Sequence, residues 1–105
     1  MHDRLARCHL LAKVLAADGI MTDDERQLLE RQLARHALSE VERDQVRHFE
    51  GGDGAVAVLR ALPSPQRQEI VDELVEAALA DGKLTAQETA TVKQIADGLG
   101  LDDDA

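Results

Sequence analysis

Four acidic residues of this chain stand in two pairs with one spacing. Asp18 and Glu25 return as Asp81 and Glu88, each 63 residues further on. They bound the segments Asp18-Gly19-Ile20-Met21-Thr22-Asp23-Asp24-Glu25 and Asp81-Gly82-Lys83-Leu84-Thr85-Ala86-Gln87-Glu88, which share their glycine and threonine in the same register. Met21 and Leu84 keep the fourth place apolar. Carboxylates are hard oxygen donors, so the chemistry such residues offer is the binding of Ca²⁺ or Mg²⁺. The segments match the second half of an EF-hand loop: a carboxylate, a tight turn, a backbone carbonyl (Ile20 or Lys83) and a final glutamate. The first half is missing, because Val14 and Ala16 in one copy and Ala77 and Leu79 in the other hold the earlier ligand places. Each loop is therefore short of oxygens by itself. If the two loops lie side by side, Asp18, Glu25, Asp81 and Glu88 make one four-carboxylate site for a divalent cation, and these four are the expected metal ligands.

A purely geometric reading competes with this one. Asp-Gly is a turn dipeptide, and Thr-x-x-Glu is a capping box that satisfies two orphan backbone N–H groups at a helix start. Only the aspartates resist it. Each would close a helix C-terminus, where the macrodipole disfavours an anion by roughly 0.3–1 kcal/mol. A third reading, a carboxylate-metal hydrolase, is the weakest: four acids with no positioned His, Lys or Ser give no division of acid, base and nucleophile. We expect no catalytic residue and no enzyme activity.

Other reactive side chains point to structure. Cys8 and His9 are adjacent in a helical stretch, so they diverge by about 100° and cannot chelate together; Cys8 fits an apolar stripe. His2, His36 and His48 are scattered. Gly51-Gly52-Asp53-Gly54 lacks the Lys and Ser/Thr of a phosphate-binding loop and reads as a flexible linker. Ser64 reads as a helix cap.

The elements that must position the acids are all helical. The first helix runs from about residue 3 to 17 with Leu5, Cys8, Leu11 (or Ala12) and Leu15 at helical spacing, and Gly19 is a natural left-handed C′ residue. Thr22 with Glu25 opens a second helix carrying Leu29, Leu33 and Ala37. Ser39 with Glu42 opens a third, with Val41, Gln45 and Phe49 along one side. A short helix spans about 55–62. Pro63-Ser64-Pro65 is a stop–start signal, with Ser64 as cap and Pro65 at N1. The fifth helix runs to about residue 80, burying Ile70, Leu74 and Ala77 or Ala78, and ends at Gly82. Thr85 with Glu88 opens the sixth, which buries Val92, Ile95 (or Ala96) and Leu99 and is closed by Gly98 and Gly100. The acidic tail Asp102 to Asp104 reads as a frayed end.

The expected fold class is all-α: a single domain over 1–105, a small helical bundle of two pseudo-twofold-related helix–turn–helix repeats. The repeats cover about 5–38 and 65–101, and two short helices within 39–62 link them. Composition agrees. The chain has 105 residues, enough for one modest core. Phe49 is its only aromatic, so the core is aliphatic. The net charge is −9 with bases interleaved among acids, which argues against nucleic acid as a partner. A lone cysteine excludes an intrachain disulfide. No apolar run approaches the ~18 residues of a membrane span, and the first residues lack an apolar signal region, so the expected location is the cytoplasm.

The paired Asp-Gly-x-apolar-x-x-x-Glu turns, with Leu62-Pro63 before the second and Gly98-Leu99-Gly100-Leu101 after it, resemble the TerB-like tellurite-resistance family over about residues 5–101. That resemblance implies an all-helical bundle whose acidic turn residues bind a divalent metal; here these match Asp18, Glu25, Asp81 and Glu88. It also implies a bacterial stress-response or membrane-linked complex with protein partners, and similar domains precede the J domain of some co-chaperones.

Overall fold

The computed structural model describes residues 1–17, 19, 21–79 and 85–101. Six helices follow in order: α1 (Asp3–Leu15), α2 (Asp23–Arg35), α3 (Glu40–Arg47), α4 (Ala55–Arg60), α5 (Ser64–Leu79) and α6 (Ala86–Gly98). No strand occurs among the described residues.

The organising element is α1. Nine of its 13 residues are buried, too many for one stripe, and it packs against each of the other five helices. A helix apolar nearly all round is stable only when enclosed. Leu5, Leu11 and Leu15 are buried as their spacing predicts, and Leu10 and Val14 widen the buried face beyond that stripe. Cys8 is a core thiol, as read from sequence.

Helix starts follow the capping chemistry. The backbone N–H of Glu25, Glu42 and Glu88 donates to the hydroxyl of Thr22, Ser39 and Thr85, at 3.2, 3.2 and 3.0 Å. Each glutamate accepts in return from the N–H of its capping residue. Helix ends close with a left-handed residue just beyond the cap. Ala37 (φ 55°), Phe49 (φ 57°) and Gly100 (φ 76°) take this place, each followed by an N–H that reaches back to the last turn: Leu38 to the Leu33 carbonyl, Glu50 to Gln45 and Leu101 to Ala96.

Several sequence expectations need correction. Ala37 is not on the buried face of α2 but past its end, and Leu38 enters the core instead. Gly19 has positive φ (91°), yet α1 stops at the Ala16 cap, so Gly19 turns the chain three residues further on. The carbonyl of Pro63 accepts the first N–H bonds of α5, from Gln66 and Arg67, so the helix begins at Ser64, the expected cap, one residue earlier than expected. Val41 (68% exposed) and Phe49 (55% exposed) face outward. Helix α3 turns Val46 inward instead, and the neighbouring Arg47 forks onto Glu30 of α2 at 2.7 and 2.8 Å, which fixes the roll. Gly52 is held for packing: a Cβ there would lie 3.0 Å from Nδ1 of the buried His9. The Gly82 helix end, Leu84 and the tail 102–105 lie outside the described residues.

Candidate metal centre

Glu25 and Glu88 occupy the same place in their helices, the third residue of α2 and of α6. The capping box draws each side chain back over its own helix start. The Thr22 N–H donates to Glu25 Oε1 at 2.9 Å, and the Thr85 N–H donates to Glu88 Oε1 at 3.0 Å. A cap of this kind ordinarily lies at the surface. Here both carboxyl groups are buried, Glu25 6% and Glu88 1% exposed.

They also lie close to one another. Burial pushes the Glu25 carboxyl above the usual carboxylate range. The hydrogen bond from the Thr22 backbone pulls it down, and the Glu88 carboxyl beside it pushes it up again, by contact and by charge. Glu88 Oε2 is buried without a hydrogen-bond partner among the described residues. An orphaned carboxylate oxygen normally costs its full desolvation. The positive ends of α2 and α6 offset part of that. Two carboxyls in contact inside a protein can do one of two things: share a proton or hold a cation.

Of the four residues read from sequence as ligands, the structure brings Glu25 and Glu88 together. Asp18 and Asp81, like the Ile20 and Lys83 carbonyls, lie outside the described residues. Among the described residues no group of three or more His, Cys, Asp or Glu is placed to hold a metal, so the glutamate pair is at most half of a site. Val14, at one of the missing EF-hand positions, is wholly enclosed in the core. A complete EF-hand loop on this copy is thereby excluded.

A family model described as tellurite resistance protein TerB matches residues 4–105. The chain belongs to the TerB family. No curated protein and no solved structure matches it. The sequence resemblance is thus upheld over nearly the whole chain, and with it the all-helical fold of a tellurite-resistance-associated domain. Among the described residues of this TerB-family chain, no helix is long and apolar enough to cross a membrane. Sequence reading did not foresee how deeply the two glutamates are buried. Their capping role was visible in Thr-x-x-Glu, but only the packing of α2 and α6 around α1 converts a surface cap into an enclosed pair.

Proposed function

We propose that this TerB-family chain is a non-catalytic helical interaction module of a bacterial stress-response system. It takes one divalent cation, Ca²⁺ or Mg²⁺, between its two Asp-Gly turns. The observation that carries the reading is the buried pairing of Glu25 with Glu88, in which Glu88 Oε2 has no hydrogen-bond partner among the described residues. A hard cation that prefers several oxygen ligands answers that deficiency. Glu25 and Glu88 would each give the cation a carboxylate, and Asp18, Asp81 and the Ile20 and Lys83 carbonyls would complete it. The cation supplies charge neutralisation and no reaction step. What it does is tie the start of α2 to the start of α6, so that the surface met by a protein partner depends on metal.

The thermal midpoint in excess chelator and then in millimolar Ca²⁺ or Mg²⁺ tests this. A ligand that binds only the folded state adds ~2.7 kcal/mol at 100 times its dissociation constant. The rise should vanish in Glu88→Gln. No change of midpoint and no heat in titration calorimetry would retire the cation.

A second reading has its own observation. Each glutamate already spends Oε1 on its capping threonine, so the turns can serve geometry alone, with the pair sharing a proton. The protein is then a metal-free interaction domain whose midpoint responds to acid and not to divalent ions.

A further inference from the structure

Of the four histidines only His9 is buried, in the middle of α1. Its Nε2 is enclosed with no hydrogen-bond partner among the described residues. The other edge of the ring lies against the connection from α3 to α4. A Cβ on Gly52 would stand 3.0 Å from Nδ1 and 3.3 Å from Cγ, so the bare backbone of that loop covers the imidazole.

A proton on this ring would have nowhere to put its charge. A neutral imidazole carries one N–H, and the imidazolium carries two; Nε2 has no acceptor in place for the second. The charged or titratable groups nearest along the chain are Cys8 beside it, Lys13 one turn on in α1, and His48, Glu50 and Asp53 around the loop. No ion pair of the described residues involves His9. No charge from any described helix acts on its pKa, which burial lowers below 6.5. An unpaired buried charge is costly enough to be relieved by whatever part of the structure yields first.

The loop is the part built to yield. Phe49 before it holds a left-handed conformation (φ 57°), which is unfavourable for a residue with a Cβ. Gly51, Gly52 and Gly54 follow, free to turn about their backbone. The loop is tied at its two ends, by the Glu50 N–H to the Gln45 carbonyl at 2.8 Å and by the Ala55 N–H to the Gly52 carbonyl at 3.0 Å.

We propose that residues 50–54 form an acid-operated latch: closed over the neutral His9 imidazole, the loop swings out about its glycines when the ring takes up a proton, while the helices stay in place. The sign follows from the closed form binding the proton more weakly than the open one. As pH falls below 6.5 the open form gains on the closed by up to about tenfold per pH unit, until the closed-state value is reached.

Native-state amide exchange between pH 7.5 and pH 5, corrected for the intrinsic rate and run in chelator, tests this. Protection of the Ala55 amide should fall by up to about tenfold per pH unit. It should not depend on low urea, because a local opening exposes little surface. His9→Leu should abolish the response to pH, and His48→Gln should keep it. Gly52→Ala, which crowds the ring, should speed Ala55 exchange about fivefold or more at pH 7.5. If His9→Leu does not fold, Gly52→Ala decides together with the ring resonances of His9, which should titrate in step with the loss of Ala55 protection. Constant Ala55 protection down to pH 5, a loss that depends on urea, a response that survives in His9→Leu or vanishes in His48→Gln, or unchanged exchange in Gly52→Ala would each overturn the latch.

Discussion

Gly98 of α6 and Val56 of α4 meet so closely that a Cβ on Gly98 would lie 2.9 Å from Val56 Cγ1. Replacing Gly98 by Ala sets two effects against each other. Alanine gains ~1 kcal/mol of helix propensity, and overpacking costs roughly 1–3 kcal/mol. Val56 is β-branched and stiff at χ1, so the overlap should win. Gly98→Ala is expected to lower stability in urea unfolding by about 1 kcal/mol. In a Val56→Ala background the same change should raise it. The same sign in both backgrounds would refute a steric origin.

Acid should weaken the fold through His9. Its imidazole is buried, and burial lowers its pKa below the usual 6.5. The unfolded chain takes up its proton first, so stability falls as pH drops below 6.5 and levels off at the lower folded-state value. His36, lowered by burial and then by Arg7, acts in the same sense. His9→Leu should flatten part of the decline of the thermal midpoint, and a profile that keeps its full slope would remove His9 as a cause.

Glu25 has the opposite sign. Its folded-state pKa is raised above 4.5, by burial first, so the charged form is penalised at neutral pH. The penalty fades as pH falls through the raised value towards 4.5. Glutamine keeps the capping box and removes the charge. In chelator at pH 7, Glu25→Gln should melt higher than wild type, with the two curves converging below about pH 4.5. A lower midpoint at pH 7 would mean that the carboxylate makes a stabilising contact as an anion.

The fork of Arg47 onto Glu30 sets the roll of α3 more than it adds stability. Glu30 is held below the usual range by its hydrogen bonds from Arg47, and the pair is partly exposed (29% and 38%). Arg47→Ala should therefore cost no more than about 1 kcal/mol. Its larger effect should be on Phe49, whose fluorescence quenching by iodide should change as α3 loses its fixed roll. A loss of several kcal/mol in denaturant unfolding would contradict this ranking.

Much of the fold was legible because its boundaries are local chemistry. Thr22, Ser39 and Thr85 each signal a helix start through residues three apart, and all three capping boxes form. What spacing could not supply is the side from which a helix is covered. The stripe Val41–Gln45–Phe49 reads as one side by period, yet Val46 is the buried residue, because its neighbour Arg47 is held by Glu30, seventeen positions before Arg47. Ala37 and Phe49 end their helices in a conformation that glycine usually supplies, so no residue type announced those ends. At the candidate site the constant offset of the repeats pointed to Glu25 and Glu88. Their mutual burial depends on how α2 and α6 settle around α1, which no local pattern encodes.

The placement of α1 has a consequence for synthesis. Of these six helices α1 is made before the five that cover it, and α6 is made after the other five. A ribosome adding roughly 5–20 residues per second leaves the α1 leucines without their full cover for about 4–16 s. During that time Leu10 and Val14, like Leu5, Leu11 and Leu15, lack part of the cover that buries them in the finished fold. Nascent chains halted before α5 should accordingly be captured by holdase chaperones, and chains released through α6 should not.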